Sequence, residues 1–138
     1  MLMQSKDFSF SETEQETLKN LGISAAVLFG SRAIGTAREG SDYDIGVLLS
    51  GSTQRRTEIY NALYDMLSSK IQSLVNIDIV FLESAPGELR AHVMKHGKPI
   101  FEANANVFAN FRERVMTEYA DFAPLREIFH QGILARIA

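Results

Sequence analysis

Three short apolar segments, separated by stretches of helical character, most strongly limit what this chain can fold into. They cover residues 23–29, 43–49 and 74–82. The first two are short and apolar and are followed by turn-forming glycine and serine, and the third is rich in β-branched residues. Each segment therefore predicts a buried strand.

The intervening segments have the features of helices. Ser11 and Glu14 have the spacing of a capping box, and apolar residues recur at steps of three and four in the later segments. The predicted helices cover residues 11–21, 53–71, 86–96 and 104–137, with a helical turn at 31–36, a bend or break near Pro124 and a short edge strand at 98–102. This alternation predicts an α/β fold, a small mixed sheet flanked by helices with a long C-terminal helical segment, in an undetermined strand order.

Size and composition fit one globular domain. The 138 residues predict a single domain with a core over about 11–102 and C-terminal helices over about 104–137. The absence of cysteine excludes disulfides and cysteine-ligated metal sites. A net charge of -3 argues against direct binding of nucleic acid through its phosphates. With neither a signal peptide nor a membrane-length apolar segment in the sequence, we expect a cytoplasmic protein without membrane contact.

The first strand runs into Gly30-Ser31, which opens a helical turn. The backbone N–H groups of such a turn, together with the serine hydroxyl, can hold an anion such as a phosphate. Taken alone, the pair is typical of ordinary turn chemistry.

Two carboxylates, Asp42 and Asp44, stand at the start of the second strand, eleven residues after Ser31. Side chains alternate along a strand, so both point to the same face and repel each other. Asp44 also precedes an apolar run, where an uncompensated charge is costly. The pair therefore predicts a cation between the two side chains.

A third carboxylate, Asp78, lies between Ile77 and Ile79 in the third strand, where a simple solvent-facing role is not expected. If this strand pairs with the second, three carboxylates share one small volume. Oxygen ligands of this kind suit Mg²⁺, and phosphate binding beside them suits two-metal nucleotidyl transfer.

The block FGSRAIGTAREGSDYDIGVLL, followed by Asp78 and by HGKPIFE, closely resembles the minimal nucleotidyltransferases of the polymerase-beta superfamily. It is particularly similar to the MNT antitoxins of HEPN/MNT toxin-antitoxin pairs. The resemblance covers roughly residues 24–102, and the first block is its specific part. It implies a nucleotidyltransferase-like fold.

The resemblance also implies roles for five matching positions. Gly30 and Ser31 would hold the triphosphate of ATP, Asp42 and Asp44 would bind magnesium, and Asp78 would join them at the metals and assist the attacking hydroxyl. The implied activity is transfer of AMP to a tyrosine of a cognate HEPN ribonuclease toxin, which neutralises it. The same resemblance implies a hetero-oligomer with that toxin, ATP as the nucleotide donor and two Mg²⁺ ions.

Arginines flank the proposed phosphate site. Arg32, next to Ser31, is a candidate phosphate ligand because guanidinium groups suit phosphate. Arg38 and Glu39 are interpreted as a solvated loop, and Ser41 as a residue that hydrogen-bonds locally within the turn.

His92 and His96 lie four residues apart on a predicted helix, a spacing that can bind zinc. The glutamate of a zinc-protease motif is absent and no third ligand is apparent, so we interpret both as surface or boundary histidines.

The C-terminal segment carries more apolar residues than are needed to cover the sheet. Its first half is interpreted as core packing and its second half as a partner or self-association surface. The apolar residues of this second half are Leu125, Ile128, Phe129, Ile133, Leu134 and Ile137.

Two other functions are compatible with these residues. The chain could be an antitoxin that masks its partner by binding, with a vestigial site. Alternatively, the same chemistry could act on a small molecule such as an aminoglycoside, although no second substrate domain is evident.

Overall fold

The sheet has four strands in the order β3-β2-β1-β4, as seen in a computed structural model that describes residues 8–38, 40–51, 55–71 and 74–137. The strands are β1 (Ile23–Phe29), β2 (Tyr43–Leu49), β3 (Ile77–Phe81) and β4 (Lys98–Glu102). β1 pairs antiparallel with β2 and β4, whereas β2 pairs parallel with β3. The predicted small mixed sheet is therefore confirmed, and β4 is an edge strand as expected.

Six helices connect and cover the strands over the described residues. They are α1 (Glu12–Asn20), α2 (Ser31–Ile34), α3 (Arg56–Ile71), α4 (Gly87–His96), α5 (Val107–Asp121) and α6 (Ala123–Ile137). α3 is the crossover between the parallel strands β2 and β3, which a two-residue turn could not join.

Both faces of the central strands are buried, which explains why β1 and β2 are almost continuously apolar. On one face, Leu28 and Ile45 pack with Leu63 of α3. On the other face, Val27 and Leu48 belong to a second cluster, together with residues of α4 and α5. A register shift near the start of β1 adjusts this alternation.

Local sequence signals fixed several element ends. Ser11 caps α1, and the capping box with Glu14 is complete, because Ser11 Oγ accepts from Glu14 N and Glu14 Oε1 accepts from Ser11 N. β1, β2 and β4 have the predicted bounds. For α3 the structure describes a start at Arg56, and the predicted positions 53 and 54 lie outside the described residues.

Other boundaries differ from the prediction. β3 is shorter than the strand predicted over residues 74–82. Leu74 lies before it and is fully exposed, and Leu82 begins a short 3₁₀ helix after it. The long C-terminal helix is interrupted, as expected near Pro124. α5 ends at Asp121, with Phe122 as its C-cap, and Pro124 lies in the first turn of α6, where its missing N–H costs little.

α6 packs loosely on the rest of the described structure. Its contacts are made mainly with α5, and Phe122, Leu125, Ile128 and Phe129 are 45–65% exposed. None of the helices within the described ranges is long and apolar enough to cross a membrane.

Candidate active site at one edge of the sheet

The strand directions bring the end of β1 and the beginnings of β2 and β3 to the same edge of the sheet. This edge, called the carboxylate edge below, is a row of strand ends and is distinct from the sides formed by the outermost strands β3 and β4. Phe29, the last residue of β1, is paired with Asp44 of the antiparallel β2. Asp44 is paired in turn with Asp78 of the parallel β3. Gly30-Ser31 and the aspartates therefore meet at this edge, although 47 residues separate Gly30 from Asp78 in the sequence.

Gly30 has a backbone conformation of φ 75° and ψ -158°, which is essentially restricted to glycine. A Cβ at this position would overlap the carboxylate of Asp44. The glycine thus allows the Gly30-Ser31 turn to lie directly against a carboxylate. Its carbonyl accepts hydrogen bonds from Ala33 and Ile34, at 3.0 and 3.3 Å, and so begins the single turn of α2, in which Ser31 is half-buried.

The three aspartates differ in exposure. Asp44 is half-buried, whereas Asp42 and Asp78 are exposed. Asp78 faces solvent, which corrects the expectation that it would not have a simple solvent-facing role. The reason is that β3 is an outermost strand of the sheet. Asp78 nevertheless lies beside Asp44, as the strand-pairing hypothesis required.

Burial raises the pKa of the Asp44 carboxyl above its ordinary value, and the negative charges of Asp78 and Asp42 raise it further. A hydrogen bond between the carboxyl groups of Asp44 and Asp78, which needs a shared proton, acts in the same direction. The ionised form is therefore disfavoured at this edge unless positive charge compensates it.

This donor set fits a hard divalent cation such as Mg²⁺, because it consists of carboxylate oxygens whose mutual repulsion a cation would relieve. Among the described residues, however, no three acidic, histidine or cysteine side chains already converge as a complete metal centre. Asp42, Asp44 and Asp78 would have to draw together around an ion, with water or phosphate oxygens completing its coordination.

Arg32 is the only charged residue buried within the described part of the chain, with 6% of its surface exposed. Its Nε and Nη2 atoms donate to the carbonyl oxygen of Ser41, at 3.3 and 2.8 Å. Its guanidinium carbon lies 4.1 Å from the centre of the Tyr43 ring. The guanidinium of Arg32, the predicted phosphate ligand, thus contacts Ser41 and Tyr43 inside the fold. Phosphate contact by Arg32 stays a prediction.

The loop before β2 has the structure expected for Ser41. Its hydroxyl accepts from Arg38 N at 2.8 Å, and its own N–H donates to the carbonyl of Arg38 at 2.9 Å. The Arg38 side chain is exposed, as predicted for a solvated loop, and Glu39 lies outside the described residues.

The sequence interpretation missed Tyr43 as part of this arrangement. Alternation along β2 turns Tyr43 to the face opposite Asp42 and Asp44, and its ring is 2% exposed beneath Arg32. The sequence signal that could have identified this contact was an aromatic residue between two carboxylates, together with the arginine that follows Gly30-Ser31.

Two other sequence features have structural explanations. His92 and His96 are exposed neighbours on α4 with ring centres 5.0 Å apart, and no third ligand joins them among the described residues. In the HGKPIFE segment, Gly97 approaches Val27 so closely that a Cβ would lie 2.6 Å from its Cγ1 atom. Gly97 therefore lets β4 pack beside β1.

A cavity of about 570 Å³ lies at the opposite end of β2, where Leu49, Arg56 and Glu83 are among its lining residues. It is separate from the aspartates. The carboxylate edge itself is open, which suits an acceptor group presented by a second molecule.

Comparison with protein families and known structures identifies a family and a fold for this chain. The family model described as "Polymerase beta, Nucleotidyltransferase" matches residues 12–106. No curated protein gives a significant match.

Several solved structures have the same fold. A toxin-antitoxin structure with AMP-PNP is 24% identical, with a TM-score of 0.68, over 86% of this chain and 94% of that one. The toxin-antitoxin MntA-HepT is 20% identical, with a TM-score of 0.61, over 90% and 99% of the two chains. A complex of a tri-AMPylated Shewanella oneidensis HEPN toxin with its MNT antitoxin is 21% identical, with a TM-score of 0.61, over 87% and 95%.

Proposed function

This chain belongs to the polymerase beta nucleotidyltransferase family, and from that premise we propose that it is an antitoxin that transfers AMP from ATP to a tyrosine of a HEPN-type ribonuclease toxin. The observation that carries the proposal is the meeting of Gly30-Ser31 with Asp42, Asp44 and Asp78 at one sheet edge. Transfer of AMP would neutralise the toxin.

The residues divide the chemistry as follows. Gly30 and Ser31 hold the triphosphate through backbone N–H groups and the serine hydroxyl. Asp42 and Asp44, with Asp78, hold magnesium. When bound, magnesium supplies positive charge that neutralises the phosphates and the carboxylates.

We assign the acceptor's proton to Asp78, which lies exposed beside Asp44. The tyrosine oxygen attacks the α-phosphorus of ATP, and the bond from that phosphorus to the pyrophosphate oxygen breaks. The hydroxyl proton passes to Asp78 and pyrophosphate leaves. A new bond joins the tyrosine oxygen to AMP.

Two observations support a protein as the acceptor. The structurally similar MNT antitoxin from Shewanella oneidensis is in complex with an AMPylated HEPN toxin. In addition, α6 is a helix of 15 residues with few contacts to the rest of the fold, and an isolated helix of about this length is marginal in water. A partner that covers α6 would stabilise it and form a hetero-oligomer.

The surface between α4, α5 and α6 suits such a partner. A cavity of about 350 Å³ is lined there by Phe122, Leu125 and Phe129, among others. Arg90 also lines it, and its Nε atom is buried without a hydrogen-bond partner among the described residues. An apolar side chain beside an acidic or carbonyl group would satisfy this surface.

The test is the intact mass of the protein encoded beside this one, purified after co-expression with wild type and with the double variant Asp42→Asn/Asp44→Asn. We expect adenylyl additions only with wild type, at a tyrosine that peptide mapping identifies. Asp78→Asn should reduce the additions while ATP binding persists. Equal additions with the double variant would refute the mechanism.

A second function, neutralisation by masking, is favoured by the exposed apolar surface of α6, which is independent of the aspartates. Under masking, the double variant would neutralise the toxin at the same dose as wild type. A stable complex without any adenylyl addition would support it.

A further inference from the structure

We propose that Arg32 is a positioning residue that fixes the segment carrying Asp42 and ties it to the phosphate turn, instead of contacting the nucleotide itself. This inference rests on the proposed nucleotidyl transfer. It assigns to Arg32 a role distinct from the phosphate contact that the sequence predicts.

The contacts of Arg32 bracket Asp42 on both sides. Its guanidinium donates twice to the carbonyl of Ser41, the residue before Asp42. The same group stacks over the ring of Tyr43, the residue after it. Asp42 itself is exposed, so its position depends on these two neighbours.

The rest of the segment is held from other directions. The N–H of Ser41 closes a turn with Arg38, and the N–H of Tyr43 donates to the carbonyl of Asn76 at 2.9 Å, just before β3. Arg32 adds the link to α2, since it follows Ser31 in that turn. One side chain therefore connects the phosphate-binding turn with the carboxylates across the site.

Such a link has a physical purpose. Asp42 and Asp44 repel each other, so without a cation the exposed Asp42 would tend to turn away into solvent. Groups that hold metal ligands in place commonly change metal affinity or activity by about 10- to 100-fold when they are lost. Fixing the backbone on both sides of Asp42 keeps the pair ready to bind an ion.

The chemistry favours arginine over lysine for this role. A planar guanidinium can donate from Nε and Nη2 to one carbonyl and stack on an aromatic ring at the same time, whereas an ammonium cannot reproduce that geometry. A direct phosphate ligand would instead have to leave Ser41 and Tyr43 and emerge from a site where it is 6% exposed.

The test compares Arg32→Lys with Arg38→Lys, an exposed arginine of the same region. Mn²⁺ binding is titrated by electron paramagnetic resonance, ATP binding is measured without metal, and amide hydrogen exchange is followed over residues 41–44. None of these readouts requires the toxin, so failure of the proposed AMP transfer would be seen separately, as wild type that adds no AMP to its partner.

For Arg32→Lys we expect Mn²⁺ affinity to fall by about 10-fold or more. Exchange at Ser41 and Tyr43 should be faster, metal-free ATP binding should be within about 2-fold of wild type, and Arg38→Lys should match wild type. In activity assays of Arg32→Lys, the fold-decrease in kcat should exceed the fold-change in KM for ATP. A loss of metal-free ATP binding with unchanged Mn²⁺ affinity would overturn the proposal and identify a phosphate ligand.

Tyr43→Leu provides a second test if Arg32→Lys does not fold. It removes the ring beneath the guanidinium and keeps a buried apolar side chain. We expect weaker Mn²⁺ binding and faster exchange at Ser41. Wild-type values for both would overturn the proposal.

Discussion

Replacement of Asp44 by asparagine should stabilise the metal-free protein while removing one of its proposed metal ligands. The pKa of Asp44 is raised by burial and by the charges of Asp78 and Asp42. An asparagine keeps the shape and can donate to Asp78, but it carries no charge. Asp44→Asn therefore removes a repulsion that the folded protein otherwise tolerates.

The magnitude follows from the strand geometry. At the roughly 4.8 Å spacing of neighbouring strands, two unit charges repel by about 0.9 kcal/mol in water and by about 3.5 kcal/mol at an effective dielectric constant of about 20. Asp78 and Asp42 are exposed, so solvent screening favours the lower value. We expect the free energy of unfolding to rise by about 1 kcal/mol, or roughly 4 °C in melting temperature for a domain of this size.

The stability difference between Asp44→Asn and wild type should depend on pH, in a direction set by the raised pKa of Asp44. Because folding raises the pKa of Asp44, the stability of the wild type is highest, as far as this group is concerned, below the ordinary carboxyl pKa of about 3.9. That contribution is lost as the pH rises through the raised value. The advantage of Asp44→Asn should thus be smallest near pH 4 and should grow as the pH rises through the raised pKa of Asp44.

The assay is thermal unfolding in EDTA between about pH 4 and pH 7.5, with Asp65→Asn, an exposed aspartate of α3, as the matched control. Added Mg²⁺ should raise the melting temperature of wild type more than that of Asp44→Asn, because only wild type retains the ligand. The reasoning is refuted if Asp44→Asn is no more stable than wild type at neutral pH in EDTA, or if any difference is independent of pH.

Two further predictions concern the phosphate turn and the C-terminal helix. Gly30→Ala should lower the free energy of unfolding by about 1–3 kcal/mol in denaturant melts, because the backbone conformation at this position is essentially restricted to glycine and the added Cβ would overlap Asp44. The control is Gly132→Ala, which should not destabilise the protein because a Cβ there meets nothing within 4 Å. Deletion of residues 124–138, or Phe129→Gln alone, should weaken toxin binding in calorimetry and leave ATP binding intact, because Phe129 is 65% exposed. Unchanged affinity for the toxin would exclude α6 as the docking surface.

The sequence alone predicted the parts of this protein that depend on near neighbours along the chain. The bounds of β1 and β2 followed from short apolar segments and their flanking turn residues, and β4 also has the predicted bounds. The same-face placement of Asp42 and Asp44 followed from the alternation of side chains in a strand. These features are local, so periodicity and turn chemistry were sufficient to predict them.

Only the tertiary structure decided which distant segments meet. The strand order puts β3 beside β2, after the crossover through α3, and so brings Asp78 to Asp44. It also puts β3 at the edge, which exposes Asp78, and it folds Arg32 inward onto Ser41 and Tyr43. Sequence patterns could not predict these outcomes, because strand pairing and side-chain burial depend on contacts between segments far apart in the chain, whose energies no local pattern records.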